Sequence, residues 1–241
     1  DGSVEDIINN EGQVPLLKTL RIVLDAARGL EYAENKGIIH RDIKPGNLMV
    51  GSGGIVKIGD LGIARSTGGE GSISQKEGVS GSPHYIAPEQ ARGDDIDHRV
   101  DLYALGISFY QLLCGKTPFT GKTPREVMLK HLKEEPQHIS ERVPEVPQDV
   151  ADLLMKMMAK SLDERSPSAA SIIPQLEDML HRYSREGEPT QSPEPNFKRY
   201  MIAVLIIPIL VGIVLAAMKG LESFDQERKR EETIRLQLVA E

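Results

Sequence analysis

Eight consecutive residues contain most of the side chains that could do chemistry in this chain: positions 40–47 read HRDIKPGN. Asp42 is a carboxylate that could accept a proton from a hydroxyl, and Lys44 adds a positive charge two positions later. Asn47 ends the stretch, and Asp60 follows in IGDLG. An amide oxygen and a carboxylate suit Mg²⁺, with water and phosphate oxygens completing its shell. Together these residues could position a nucleophile, neutralise charge and hold a metal ion during phosphoryl transfer.

Short apolar segments around these residues indicate how they are brought together. Residues 48–50 (LMV) and 55–58 (IVKI) flank GSGG, a pattern that predicts a β-hairpin. The hairpin would fold the chain back, so that Asp60 approaches Asn47. Upstream, leucine and alanine at helical spacing predict a helix over residues 16–36, which a glycine then ends.

The second half of the domain is predicted to be helical. Residues 65–84 are rich in Gly and Ser and predict a long mobile loop. Residues 99–114 are apolar on nearly every face, as expected of a helix at the centre of a helical domain. Further helices are predicted at 124–133, 148–160 and 168–183. One hairpin among many helices predicts a mainly α domain with its polar chemistry on loops.

Charge and cysteine content restrict the partners and the compartment. The net charge of −7 argues against a nucleic acid partner. The one cysteine, Cys114, excludes an internal disulfide and favours a reducing compartment. Because it lies in the apolar run SFYQLLCG, we interpret it as a buried structural thiol.

The C-terminal part has a different composition. Residues 200–218 carry no charged residue and as a helix would span about 28 Å, which predicts one transmembrane helix. Residues 185–199 are rich in Pro, Glu and Ser and predict a juxtamembrane linker. The Lys and Arg residues that flank the span are nearly equal in number on its two sides, so the positive-inside rule does not decide its orientation. The compartment that supplies a phosphoryl donor and a reducing milieu therefore decides the orientation. We expect residues 1–199 to be cytoplasmic and residues 219–241, which could be helical, to lie outside.

The motifs occur in an order that resembles the eukaryotic-type serine/threonine protein kinases. HRDIKPGN at 40–47 is followed by DLG at 60–62, APE at 87–89, and then by Asp101 and Arg165. The resemblance extends over residues 1–183 and implies the C-terminal lobe of a kinase domain. It implies ATP and Mg²⁺ as cofactors and proteins with Ser or Thr acceptors as substrates.

The resemblance also implies a role for each matching residue. Asp42 would orient the acceptor hydroxyl or accept its proton, and Lys44 would contact the γ-phosphate, as in the serine/threonine class. Asn47 and Asp60 would hold the magnesium ions. Ser82 replaces the more usual Thr, and its hydroxyl could still bridge Asp42 and Lys44.

Five further positions would have structural roles. His40 and Leu61, which replaces the usual Phe, would stack in a hydrophobic spine. Asp101 would bind the backbone of the catalytic turn, and Glu89 would pair with Arg165.

The loop at 65–84 is predicted to be a switch regulated by phosphorylation. Arg41 could pair with a phosphate on this loop and order it. The candidate acceptors are Ser66, Thr67, Ser72, Ser74 and Ser80.

A kinase domain begins with an N-terminal lobe that has a Gly-rich loop, a strand lysine and a helix glutamate. No G-x-G-x-x-G precedes residue 40. We therefore expect a fragment of a membrane-anchored kinase that is inactive by itself. It resembles bacterial receptor-type kinases with a single span, so a homodimer is a candidate assembly.

Two other functional classes are weighed against this one. A pseudokinase would act as a non-catalytic binding module, and the sequence of the N-terminal lobe would discriminate it. The small-molecule antibiotic kinases share a similar Asp-to-Asn loop but lack the APE segment.

Five histidines show no metal spacing and are interpreted as structural or surface residues: His84, His98, His131, His138 and His181.

Overall fold

The computed structural model describes residues 2–60 and 82–186, together with the backbone of residues 65 and 66. Its helices are α1 Val4–Glu11, α2 Leu16–Asn35, α3 Pro88–Arg92, α4 Arg99–Cys114, α5 Pro124–Lys133, α6 Ile139–Arg142, α7 Gln148–Met157 and α8 Ala169–Glu186. Its strands are β1 Gly2–Ser3, β2 Ile38–Ile39, β3 Leu48–Val50, β4 Val56–Ile58 and β5 Arg65–Ser66. The predicted mainly α fold with one hairpin is therefore present in the described residues.

The strands form two small antiparallel sheets. The predicted hairpin is β3 and β4, with Leu48 opposite Ile58, and β1 pairs with the other edge of β3. The second sheet pairs β2 with β5, which lies inside the segment predicted to be a loop. A sequence pattern of two residues is too short to reveal such a strand.

Helix α4 lies at the centre of the domain, as its sequence predicts. Thirteen of its sixteen residues are buried, because the helix has no polar face. It ends where Gly115 adopts a left-handed conformation with φ 75°. Gly106 lets α7 pack closely, since a Cβ at this position would lie 3.0 Å from the Cβ of Met157.

The other long helices differ from prediction mainly at their ends. Helix α2 ends at Asn35, and Gly37 follows with φ 66°. Helix α7 ends at Met157, three residues before the predicted end, while α8 continues to Glu186, three residues beyond it. Pro174 lies inside α8, where it removes one backbone hydrogen bond without ending the helix.

Helix α1 begins with a capping box, which fixes the chain next to β3. The Oγ of Ser3 accepts a hydrogen bond from the Asp6 N–H at 3.2 Å, and the Asp6 carboxylate accepts one from the Ser3 N–H at 2.7 Å. These bonds favour the ionised carboxylate and lower the pKa of Asp6.

Cys114 is only partly buried, so the prediction of a buried thiol holds only in part. It is the last residue of α4, and its Sγ donates to the carbonyl oxygen of Lys116 at 3.0 Å. Burial raises the pKa of the thiol, which keeps it protonated at neutral pH.

Within residues 2–60 and 82–186, no helix has the length and apolar character needed to cross a bilayer. The predicted span at 200–218 and the segment at 219–241 lie outside the described residues, as does nearly all of the predicted linker.

Candidate active site

The backbone of the catalytic turn is held by a carboxylate from the core. Asp101, buried on α4, accepts hydrogen bonds from the N–H of His40 at 2.7 Å and from the N–H of Arg41 at 2.8 Å. Arg41 has φ 70°, a conformation that costs energy for a residue with a side chain. The two bonds to Asp101 stabilise this turn, which places Asp42 at the surface of the core. Burial raises the pKa of Asp101 despite these bonds.

Asp42 lies at the centre of a polar cluster. Its Oδ2 accepts from Lys44 Nζ at 2.7 Å and from Asn47 Nδ2 at 3.1 Å. Its Oδ1 accepts from the N–H and from the Oγ of Ser82, each at 3.0 Å. Burial raises the pKa of Asp42, but the hydrogen bonds from Lys44 and Ser82 outweigh it and hold the pKa below its usual value. The carboxylate is therefore ionised at neutral pH.

Ser82 makes the bridge that the sequence predicts. Besides its bonds to Asp42, its Oγ accepts a hydrogen bond from Lys44 Nζ at 3.0 Å. Ser82, which lies 40 positions after Asp42, thus joins Asp42 and Lys44 in one network. The network fixes the start of the segment leading to APE against the catalytic turn.

Asn47 and Asp60 lie at neighbouring ends of the hairpin. Asn47 ends a 3₁₀ turn at Pro45–Asn47, and its Nδ2 donates to the Asp42 carbonyl oxygen at 2.8 Å. The Gly59 N–H donates to the Asn47 carbonyl oxygen at 2.8 Å, and the exposed Asp60 follows with φ 53°. The predicted approach of the two residues therefore follows from the strand register.

The donor set at this position fits Mg²⁺. The bonds from Asn47 Nδ2 to Asp42 turn the Asn47 amide oxygen away from that carboxylate. With Asp60 this gives one amide oxygen and one carboxylate, a small protein set of the kind Mg²⁺ takes when phosphates supply other ligands. The described residues contain no group of three or more His, Cys, Asp or Glu side chains arranged to bind a metal by themselves.

His40 is buried beneath the turn. Its Nε2 lies 3.0 Å from the Gly59 carbonyl oxygen, which ties the turn to the end of β4. Leu61, its predicted stacking partner, lies outside the described residues.

The predicted pair of Glu89 and Arg165 is present and fully buried. Arg165 Nη1 and Nη2 lie 2.6 and 3.1 Å from the two Glu89 carboxylate oxygens. Arg165 also donates to the carbonyl oxygens of Ala159 and Arg99, each at 3.0 Å. This bidentate pair connects α3, next to the catalytic turn, to the segment after α7.

Of the five predicted phosphorylation sites, only Ser66 belongs to a described element, and only its backbone is described. The backbone of Ser66 belongs to β5, opposite Ile38. Thr67, Ser72, Ser74 and Ser80 lie outside the described residues. The pairing of Arg41 with a phosphate stays a prediction.

A second polar cluster, which sequence reasoning missed, lies in the core. His131 is fully buried, and its Nδ1 lies 2.8 Å from the Tyr103 hydroxyl. Lys160 Nζ donates to that hydroxyl at 3.2 Å and to the His131 carbonyl oxygen at 2.8 Å. Burial, together with the charge of Lys160, lowers the pKa of His131 to about 3, and burial lowers the pKa of Lys160 to about 8. The three residues share no motif, so no sequence signal connects them.

Two other features near the site also lack a sequence signal. Glu5 of α1 reaches the catalytic turn, where a Cβ on Gly46 would lie 2.8 Å from its Oε2. A largely apolar groove of about 600 Å³ lies between α2 and β4, and Tyr32 and Ile55 on its rim are 68% and 56% exposed.

The chain belongs to the protein kinase family. The family model described as "Protein kinase domain" matches residues 1–175, which include the catalytic turn, the hairpin, the APE segment and Arg165.

Curated proteins to which the chain is similar include serine/threonine-protein kinases. The chain is 36% identical over 195 residues to the serine/threonine-protein kinase PknB of Mycobacterium leprae, covering 80% of this chain and 30% of that protein. It is 40% identical over 178 residues to the probable serine/threonine-protein kinase CPE1738 of Clostridium perfringens, covering 73% and 25%. The chain thus spans less than a third of the length of these relatives.

Proposed function

We propose that this chain supplies the catalytic loop of a serine/threonine protein kinase, which transfers the γ-phosphoryl group of ATP to Ser or Thr hydroxyls of proteins. The observation that carries the proposal is the network in which Asp42 accepts hydrogen bonds from Lys44, Asn47 and Ser82. Family membership and the names of the similar kinases support the same class of activity.

In the proposed reaction, the acceptor hydroxyl oxygen forms a bond to the γ-phosphorus while the bond from that phosphorus to the β–γ bridging oxygen breaks. ADP leaves, and the hydroxyl proton passes to Asp42 and then to solvent. Because the pKa of Asp42 is low, it is a weak base in the ground state. We infer that its main contribution is to orient the hydroxyl, and that it takes the proton as the P–O bond forms.

Lys44 is placed to neutralise charge on the transferred group. Its Nζ lies 2.7 Å from Asp42 Oδ2, so a phosphoryl group next to the base would also be next to this ammonium. Asn47 and Asp60 would hold Mg²⁺, which would supply positive charge against the phosphates of ATP. The orientation of Asn47 by Asp42 keeps its amide oxygen available for that ion.

Further parts of the proposal come from the sequence. We propose that the protein is anchored in the membrane by residues 200–218, with residues 1–199 cytoplasmic and residues 219–241 on the other side. The apolar run, the position of Cys114 in a domain without disulfide partners, and the need for ATP support this arrangement. A homodimer would then bring two kinase regions together on one side of the membrane.

The proposal is tested with Asp42→Asn in the full-length protein, with ATP, Mg²⁺ and a Ser/Thr peptide. Loss of the carboxylate should reduce turnover by roughly 10²–10⁴-fold, while nucleotide binding stays near the wild-type value. Asp94→Asn is the matched control, because Asp94 is an exposed carboxylate paired with Arg92 outside the network. Turnover by the Asp42 variant at the wild-type rate would refute the assignment.

A further inference from the structure

The buried cluster of His131, Tyr103 and Lys160 contains a hydrogen-bond donor that phosphoryl transfer, as proposed above, does not use. Lys160 Nζ donates to the Tyr103 hydroxyl oxygen at 3.2 Å, so the hydroxyl proton must bond elsewhere. The same hydroxyl lies 2.8 Å from His131 Nδ1 and has no third partner among the described residues. The Tyr103 hydroxyl therefore donates its proton, and Nδ1 of the imidazole accepts.

The proton of the His131 ring must then be on Nε2. Burial keeps the imidazole neutral, because it lowers the pKa of His131 to about 3, and a neutral imidazole has one N–H. Nε2 is itself buried and forms no hydrogen bond with any of the described residues. Buried donors without an acceptor are rare in folded proteins, because nothing replaces the water they lose. This N–H therefore needs an acceptor close to the ring.

The backbone of His84 is the acceptor that the geometry offers. Phe119 packs edge-on against the His131 ring, with centroids 4.8 Å apart, and its carbonyl oxygen lies 3.4 Å from His84 Nδ1. Burial and the charge of Lys160 lower the pKa of His131, whereas the His84 backbone raises it, as a carbonyl oxygen near an N–H does. Because Tyr103 occupies Nδ1, the His84 carbonyl oxygen must lie near Nε2, without forming a hydrogen bond of normal geometry.

His84 belongs to the segment that follows Ser82 and runs past the proposed base. The Oγ of Ser82 donates to Asp42 Oδ1 at 3.0 Å, so a protein substrate whose hydroxyl reaches Asp42 must lie along residues 82–86. The His84 side chain is exposed, while its backbone lies against the buried His131 ring. A small inward shift of this backbone would complete the hydrogen bond to Nε2.

We propose that His131 is a positioning residue for the protein substrate: its Nε2–H donates to the His84 carbonyl oxygen when a substrate lies along residues 82–86. The inference rests on the proposed function, since it concerns the binding of that same substrate. A bond that forms only in the bound state contributes to the affinity for the substrate. The network around Asp42 does not include this bond, so the turnover of bound substrate and the affinity for ATP should not depend on it.

The experiment measures steady-state kinetics of the full-length protein with ATP, Mg²⁺ and a Ser peptide, for two variants that replace different parts of the imidazole. The amide of Gln can be placed near Nε2, whereas the shorter Asn reaches only Nδ1. His131→Asn should raise the KM for the peptide by about 3- to 10-fold, the effect of one hydrogen bond, and leave kcat and the KM for ATP near the wild-type values. His131→Gln should restore the KM for the peptide to within about 2-fold of the wild type. His181→Gln, at an exposed position on α8, is the control.

A measurement on the wild type does not depend on the folding of any variant. NMR of the full-length protein with isotope-labelled histidine reports which ring nitrogen carries the proton and how fast that proton exchanges with solvent. The His131 signal is the one that His131→Gln removes. Addition of the peptide should slow the exchange of the Nε2 proton and move its resonance downfield, as hydrogen-bond formation requires.

The outcomes separate this inference from the function on which it rests. The same KM for the peptide in both His131 variants, or a loss confined to kcat, would overturn the inference and leave the proposed function intact. A ring proton on Nδ1, or an Nε2 proton that does not respond to the peptide, would do the same, and this result decides if His131→Asn fails to fold. Absence of phosphorylation of every Ser or Thr peptide by the wild type would refute the proposed function, and the inference with it.

Discussion

The ion pair of Glu89 and Arg165 offers a quantitative test of how the segment around APE is held. The exposed fractions of the Glu89 and Arg165 side chains are 1% and 0%. Removing either partner therefore leaves the other charge buried, with neither its ion-pair partner nor water to solvate it. Arg165→Met or Glu89→Met alone should therefore lower the free energy of unfolding by about 3–5 kcal/mol. The paired substitution removes both charges, and an apolar pair of similar volume is nearly neutral in such a position.

The double variant still loses two hydrogen bonds, because Arg165 also donates to the carbonyl oxygens of Ala159 and Arg99. At about 1 kcal/mol for each lost hydrogen bond, the double variant should cost about 2 kcal/mol. The two single changes would sum to about 6 kcal/mol or more, so the pair should show a coupling of about 4 kcal/mol or more.

Urea unfolding followed by circular dichroism measures these free energies for the chain and its variants. Arg92→Met is the matched control: Arg92 pairs with Asp94, but the two side chains are 47% and 50% exposed. Its cost should stay below about 1 kcal/mol. Additive effects of Glu89→Met and Arg165→Met, within about 0.5 kcal/mol, would refute the reasoning that the buried charges depend on each other.

Two further predictions follow from the polar clusters. The pKa of His131 is about 3 in the folded chain and about 6.5 when unfolded, so the unfolded state binds more protons below pH 6.5. The free energy of unfolding should therefore fall as the pH drops from 6.5 to 3, by up to about 1.4 kcal/mol per pH unit. His131→Gln should flatten this slope. His181→Gln is the control: His181 is exposed, so its substitution should leave the slope unchanged. Ser82→Ala removes one hydrogen bond that lowers the pKa of Asp42, so the acidic limb of the kcat/KM profile of the full-length protein should move to higher pH. A profile identical to that of the wild type would contradict that role of the Ser82 hydroxyl.

The sequence predicts the elements whose signals are local. Helices α4 and α5 have the predicted bounds, because each carries its own end signal. Gly115 ends α4, and the Oγ of Thr123 caps α5 by accepting from the Glu126 N–H at 3.2 Å. Helix α7 lacks such a signal, since Met158 follows its last residue, and the predicted end is three residues too late. Helix α8 ends at Glu186, directly before Gly187, and the predicted end at 183 stops short of that glycine.

The same distinction applies to the candidate site. Asp42, Lys44 and Asn47 lie in one short motif, so their proximity could be predicted from the sequence. The contact of Glu5 with Gly46 joins helix α1 to the catalytic turn, and the two residues lie far apart in the sequence. The His131 cluster likewise joins three helices or their ends, and nothing in the apolar periodicity of α5 marks one histidine as fully buried.

The anchoring of the catalytic turn on α4 has a consequence for how the site responds to heat. Loops usually loosen before the core of a domain melts. Here the N–H groups of His40 and Arg41 are held by Asp101, which belongs to the most enclosed helix of the described residues. We therefore expect the geometry around Asp42 to persist when the surface loosens locally, and the thermal loss of the site to coincide with melting of the core.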